Sequence, residues 1–378
     1  MNVDEKGRAV PRPDGFNKGT ERKEAPGEYD PFVRGPLPVG VRTIEARDTA
    51  RDRLFPCEIW YPAAADHAGQ DTAPATWDSF TVPSDDTPRS QMAVRDAAAA
   101  PGRRPLILFS HGSARGARRM ATFLCTHLSS HGYVSAALDH SEVVALELAR
   151  KDGESDEQRT ARTNAWIASR VPDVRFLLDR LLGNPGWDAD ITIDPSQIGI
   201  AGYSFGGWTA LAAPDVEGRI RAVVALAPGG SSRPKPGILP ATLTFAWGRD
   251  VPTLYLVAEN DTMTPLTGMY ELFDRTPASK QMVILRRADH AHFLDNVERE
   301  HETVRTLPWT GPLAWIPKEM QPIAALSSGE QAHAFARGLT LCHMDAVLRR
   351  RQDAQRFLAG DLEAELAARG VDVIVRKP

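Results

Sequence analysis

Gly202-Tyr203-Ser204-Phe205-Gly206 sits directly behind the apolar run Ile198-Gly199-Ile200-Ala201. A G-x-S-x-G pentapeptide that ends a strand and opens a helix holds its serine on a sharp, strained turn, with the hydroxyl above the sheet edge. Side chains at the flanking positions would collide with the neighbouring strand and helix, so Gly202 and Gly206 are the residues that fit. The run Trp208-Thr209-Ala210-Leu211-Ala212-Ala213 that follows reads as a helix, whose N-terminal amides and dipole would face an anion formed on a substrate. The chemistry implied is attack by Ser204 on a carbonyl carbon.

A serine hydroxyl is a poor nucleophile at neutral pH and needs a base, which in turn needs an orienting carboxylate. For a nucleophile of this type the chain order is serine, acid, histidine. The acid belongs on a loop after a late strand. Residues 253–258 form that strand and Glu259-Asn260-Asp261-Thr262 its loop. Asp261 is the preferred acid, with Glu259 and Asp250 as rivals. The loop after residues 222–226 carries Pro228-Gly229-Gly230 and no acid, so the other usual place for the carboxylate is vacant. The base falls in Arg287-Ala288-Asp289-His290-Ala291-His292-Phe293, where His290 is preferred because it lies nearer the strand end. His292 is then a residue of the site wall or surface. Two backbone amides must receive the oxyanion: that of Phe205, after the nucleophile, and that of Ser113, in the loop Phe109-Ser110-His111-Gly112-Ser113. His111 precedes the serine in the chain and is expected to pack beneath this loop or fix it by a hydrogen bond.

The elements that position these residues emerge from the hydrophobic pattern. Strands are expected at 40–46, 56–61, 106–109, 133–138, 198–203, 222–226, 253–257 and 282–285. Helices are expected at 120–130, 160–182, 205–213, 266–273, 332–348 and 362–369. Strands that are nearly all apolar and alternate with helices imply a mostly parallel α/β sheet covered on both faces, with ligands at the carboxyl ends of its strands. Residues 1–36 read as a flexible or surface-hugging arm, and 62–104 as a long polar excursion over the surface or near the site.

At 378 residues, 42% of them hydrophobic and 25% charged, the chain can hold one large domain with decorations. A net charge of -4 gives no electrostatic case for nucleic acid or an anionic membrane as partner. The clusters Arg115-Gly116-Ala117-Arg118-Arg119 and Arg349-Arg350-Arg351 read as short solvated helix faces. Cys57, Cys125 and Cys342 are widely spaced, which argues against a disulfide framework or a zinc site and fits a reducing compartment. No window approaches the roughly 18 apolar residues of a membrane span, and the N-terminus has no secretory h-region. The expectation is a cytoplasmic protein with no cofactor and no metal, and homo-oligomerisation is left open.

These residues together resemble the α/β-hydrolase superfamily, and more narrowly its platelet-activating-factor acetylhydrolase and dienelactone-hydrolase-like branch. The shared features are Pro38-Val39-Gly40-Val41-Arg42, Glu58-Ile59-Trp60-Tyr61-Pro62, Phe109-Ser110-His111-Gly112, Gly202 to Gly207, the Asp261 loop and Asp289-His290 to Phe293. The resemblance runs from about residue 36 to 295 and implies about eight strands, helices on both faces and a helical cap. It also implies His290 as base and the amides of Ser113 and Phe205 as oxyanion donors. A serine at 204 argues against dienelactone hydrolysis, which uses cysteine, and against dehalogenation, which uses aspartate. The cap is expected at 141–170 and a second wall after the histidine, within 296–330, where Trp309 and Trp315 are pocket candidates with Tyr203, His111 and His292. The expected reaction is hydrolysis of a small ester, short-chain or aromatic, through an acyl-enzyme. Amides, lactones, polyesters, acyl transfer and a non-catalytic ligand-binding homologue are the alternatives.

Overall fold

The computed structural model describes residues 29–377 apart from 83–84, 114–116, 184–186 and 189. Most of the expected N-terminal arm, residues 1–28, therefore lies outside the described residues, as do Arg115 and Gly116. The strands are β1 (Val39–Asp48), β2 (Arg53–Pro62), β3 (Asp78–Val82), β4 (Asp85–Gln91), β5 (Val94–Arg95) and β6 (Gly102–Ser110). They continue with β7 (Val134–Leu138), β8 (Ile191–Tyr203), β9 (Ile220–Leu226), β10 (Thr253–Ala258), β11 (Lys280–Leu285) and β12 (Val373–Arg376). Ten of them form one sheet in the order β12-β11-β10-β9-β8-β6-β7-β2-β1-β5. The pairs from β7 through β6, β8, β9 and β10 to β11 are parallel, whereas β1–β2, β2–β7 and β11–β12 are antiparallel.

The helices are α1 (Thr122–Ser130), α2 (Ser141–Val144), α3 (Asp156–Gly183), α4 (Phe205–Ala212) and α5 (Leu266–Arg275). After β11 come α6 (Val297–Thr306), α7 (Ile316–Glu319), α8 (Gly329–Val347), α9 (Gln352–Ala359) and α10 (Leu362–Ala367). Because successive side chains of a strand alternate between faces, Leu106 and Leu108 of β6 enter one core with Val174, Leu177, Trp208, Leu211 and Met269. Ile107 and Phe109 enter the opposite core with Leu124, Leu128, Phe335 and Leu339. Helices α3, α4 and α5 thus cover one face of the sheet, and α1, α8 and α10 the other. This is the α/β-hydrolase fold.

The additions to the expected elements lie at the edges. Strands β5 and β12 are two and four residues long, too short to stand out in the hydrophobic pattern. The excursion 62–104 holds three 3-10 turns and the antiparallel hairpin β3–β4. Its Asp71 is buried and accepts the Val39 N–H at 2.9 Å, tying the excursion to the start of β1. Residues 29–36 pack on α8: the Tyr29 hydroxyl donates to Asp345 at 3.1 Å, and Phe32 lies against Gly338.

Within the basic clusters, Arg118, Arg119 and Arg349 are not solvated, whereas Arg350 is exposed. Arg118 and Arg119 are 15% and 16% exposed, and both pair with Glu58, which is fully buried on β2. Arg118 also donates to Asp139 at 2.5 Å. A carboxylate fully buried on an inner strand needs such partners. Arg349 in turn pairs with the buried Asp345 and lies over the Tyr133 ring. Among the described residues no helix is long and apolar enough to cross a membrane.

Candidate active site

Strand β8 delivers Ser204 into a backbone conformation of φ 56° and ψ -116°, strained for any residue with a Cβ. The glycines around it are required by contact. A Cβ on Gly202 would lie 2.0 Å from the Gly206 carbonyl oxygen, and one on Gly206 would lie 1.9 Å from the Ser110 carbonyl oxygen. The turn is further closed by the Ser204 N–H donating to the Leu226 carbonyl and the Gly229 N–H donating to that of Ser204, both at 2.9 Å. Gly206→Ala is accordingly expected to destabilise the protein by about 3 kcal/mol, as overpacking against rigid backbone does. Thermal melting checks this.

The Ser204 hydroxyl lies 2.9 Å from His290 Nε2, and His290 Nδ1 lies 2.9 Å from Asp261 Oδ2. With Nδ1–H donating to the carboxylate, Nε2 is left free to accept the serine proton. Asp261 is held in turn by the N–H groups of Met263 and Thr264, at 2.9 and 2.7 Å, and by the Thr264 hydroxyl at 2.9 Å. Burial alone would lower the His290 pKa. The charge of Asp261 and its hydrogen bond, with a further contribution from Asp289, outweigh it and raise the imidazole above its ordinary value.

Asp289 decides which histidine faces the serine. Its side chain caps the short turn His290–Phe293, accepting the N–H groups of His290 at 2.6 Å and Thr262 at 2.7 Å. That turn points His290 at Ser204 and sends His292 the other way. His292 is fully buried, with Nε2 3.0 Å from the Ser327 carbonyl and Nδ1 accepting the Asp289 N–H at 3.0 Å. The rival acids are engaged elsewhere: Glu259 accepts the Arg287 N–H, and Asp250 accepts from Ser279.

These groups open into a cavity of ≈ 530 Å³ whose lining includes Ser113, Tyr203, Ser204, Phe205 and His290. Among the described residues, neither the Ser113 nor the Phe205 amide donates to a protein acceptor. Gly112 packs against Ser204, its missing Cβ lying 3.5 Å from that of the serine. The segment expected as a cap contributes Arg150 and Trp166, and the segment after the histidine contributes Glu300, Val304, Leu307, Trp309, Leu313, Ile316 and Met320. Tyr203 lines the cavity, and its hydroxyl donates to the His290 carbonyl at 3.1 Å.

Three of the pocket candidates are not brought there. His292 is turned away as described. Trp315 donates its Nε1–H to the Pro236 carbonyl at 3.0 Å, and its ring carries the Lys235 ammonium. His111 is fully buried beneath the loop, Nδ1–H donating to the Gly112 carbonyl at 2.7 Å and Nε2 accepting the His140 N–H at 3.0 Å. Burial, and then the charge of Arg170, hold its pKa well below the ordinary value, so the ring is neutral with one donor and one acceptor.

Beneath the same loop lies a polar network that the pattern of the sequence did not single out. Ser110 Oγ is 2.8 Å from His140 Nε2, and His140 Nδ1 is 3.1 Å from Asp173 Oδ2. All three are at most 1% exposed, and none of them lines the cavity at Ser204. Arg170, fully buried, donates to the carbonyls of His111 at 2.5 Å and Gly112 at 3.1 Å, and pairs with Glu142. The signal was present in α3. Its buried stripe runs Trp166, Ser169, Arg170, Asp173, Val174, Leu177, Leu178, Leu181, and two charges inside an otherwise mainly apolar 3–4 spacing call for partners.

Two comparisons with known proteins bear on this fold and site. Residues 86–173 match the sequence profile of a family described as platelet-activating factor acetylhydrolase, isoform II. The match spans β6, the loop after it and much of α3, and ends before Ser204. A ferulic acid esterase from Streptomyces cinnamoneus, solved at 2.4 Å resolution, shares the fold with a TM-score of 0.55 at 24% identity, over 83% of this chain and 91% of that one. The structural likeness carries the fold. The profile match is a resemblance to the acetylhydrolases over residues 86–173.

Proposed function

We propose that the protein is a serine esterase in which Ser204, His290 and Asp261 form the catalytic triad and the amides of Ser113 and Phe205 form the oxyanion hole. The observation that carries this reading is the unbroken chain of 2.9 Å contacts from Ser204 through His290 to Asp261 at the wall of an open cavity. Ser204 Oγ attacks the ester carbonyl while its proton passes to His290 Nε2, and Asp261 stabilises the imidazolium. The negative charge on the carbonyl oxygen is received by the two amides. Collapse of the tetrahedral species expels the alcohol, which takes the proton from His290. Water, deprotonated by the same nitrogen, then attacks the acyl carbonyl, and collapse breaks its bond to Ser204 Oγ, which takes the proton back from His290 as the acid leaves.

The cavity wall near the serine is largely apolar, with Met120, Trp166, Leu239, Leu294 and Trp309 among its residues, which favours short-chain or aromatic acyl groups. A cytoplasmic location belongs to the same reading, since all three cysteines are buried and unpaired. The direct test is labelling by a fluorophosphonate, followed by peptide mapping, beside hydrolysis of p-nitrophenyl esters. A single adduct on Ser204 with turnover of esters supports the esterase. An unlabelled, inert protein would leave a ligand-binding homologue, and labelling without ester turnover would redirect the search to amides and lactones. Trp309→Ala, which enlarges the wall, is expected to shift preference towards longer acyl chains. Relative kcat/KM should rise about fourfold per methylene newly buried, corresponding to ~0.8 kcal/mol each. A series from acetate to octanoate measures the shift.

A further inference from the structure

Oxyanion donors work because their direction is fixed before charge develops. The Ser113 N–H belongs to the same peptide unit as the Gly112 carbonyl. In a planar trans peptide the two point in opposite directions. Whatever grips the Gly112 oxygen therefore aims the Ser113 N–H. Two donors grip it, His111 Nδ1–H at 2.7 Å and Arg170 Nη2 at 3.1 Å. The other guanidinium nitrogen holds the preceding carbonyl, that of His111, at 2.5 Å. The same guanidinium lies 4.2 Å from the centroid of the Phe205 ring, on the residue that carries the second amide. One cation thus supports both halves of the hole from behind.

Net stability is a weak reason for a buried cation here. Burying a guanidinium and a carboxylate costs several kcal/mol per ion, and well-packed apolar residues often serve as well. The pair is also incompletely satisfied, since among the described residues Arg170 Nε and Glu142 Oε2 are buried without partners. On the same helix face, Trp166, Val174 and Leu177 fill the layer with apolar side chains.

We propose that Arg170, held by Glu142, is a positioning residue that locks and polarises the Gly112–Ser113 peptide, so that its N–H is set for the oxyanion of the transition state. This rests on the reading of Ser113 and Phe205 as the oxyanion donors. The brace acts on charge that appears only in the transition state, so it raises kcat and leaves ground-state ester binding alone.

The test uses the full chain with p-nitrophenyl acetate, active-site titration, and a trifluoromethyl ketone, which adds to the serine as an oxyanion-bearing hemiketal. Arg170→Met is expected to lower kcat per titrated site about 100-fold, at the lower end for loss of an oxyanion donor, with KM within about twofold. The ketone should weaken by the same factor, and added guanidinium ion should restore part of the rate. Arg170→Lys, which keeps the charge and loses the fork, should fall between. Glu142→Gln should lower kcat and ketone affinity together, and it carries the test if Arg170→Met does not fold. A folded Arg170→Met, or failing that a folded Glu142→Gln, with unchanged kcat per site and unchanged ketone affinity overturns the proposal. Ser113→Pro, which removes the amide hydrogen, separates the two readings: unchanged kcat there refutes the placement of the hole itself.

Discussion

Ser204→Ala is expected to lower kcat on activated esters by about 10⁵- to 10⁶-fold, leaving only the rate supplied by binding and the oxyanion amides. His290→Ala should cost nearly as much, and the double variant little more, because nucleophile and base act as one unit. The hydroxyl is the only group removed in the first variant, and the fold should be unaffected. A companion variant makes the strain at this position visible. Ser204 holds φ at 56° and ψ at -116°, a conformation that glycine adopts far more readily. Ser204→Gly should therefore be as inactive as the alanine variant yet more stable than wild type by about 1 kcal/mol. Stopped-assay rates with active-site titration and denaturant melts measure the two effects. An alanine variant retaining more than about 1% of wild-type kcat would exclude Ser204 as the nucleophile.

The second large effect concerns Asp261. The base must be neutral to accept the serine proton, so kcat/KM rises with pH through the pKa of His290. Burial pulls that pKa down, while the charge and hydrogen bond of Asp261 pull it up by more, so the acid limb should lie above the ordinary histidine value. In Asp261→Asn the raising contribution is lost and burial remains. The acid limb should move to lower pH, while activity on the plateau falls about 10⁴-fold because the imidazole loses its orienting partner and favoured tautomer. A pH–rate profile of both proteins decides the matter. A limb that stays in place would mean that another carboxylate sets the pKa, with Asp289 the nearest candidate.

The sequence disclosed what depends on short-range pattern. The elbow was legible because Gly202, Ser204 and Gly206 lie within five residues, and part of the constraint is local, Gly202 facing the Gly206 carbonyl, while Gly206 itself meets Ser110 on the neighbouring strand. The parallel core was legible because strands covered on both faces read as continuous apolar runs. The chain order Ser204, Asp261, His290 was anticipated from topology, and the structure brings the three side chains within hydrogen-bond distance. What remained ambiguous depended on contacts across the fold. Only nearness to the strand end favoured His290 over His292 in the sequence; the difference is made by Asp289, which caps their turn and also grips Thr262. Trp309 and Trp315 lie six residues apart in a similar setting, yet only Trp309 lines the cavity, since Lys235 and Pro236 hold the other. Arg118 and Arg119 read as solvated because their partner, Glu58, lies 60 positions away on an inner strand. Arg170 went unnoticed for the same reason.

The glycine contacts at the elbow also bear on how such a protein diversifies. Backbone touches backbone between Gly206 and Ser110, so the reacting centre admits almost no drift in side-chain size. The seven cavity residues between Glu300 and Met320 carry no such constraint and come from one continuous stretch. A change of substrate can therefore be inherited as a single exchanged segment while the chemistry is passed on intact. Selection for new esters should accumulate substitutions there and leave the carboxyl ends of the central strands unchanged.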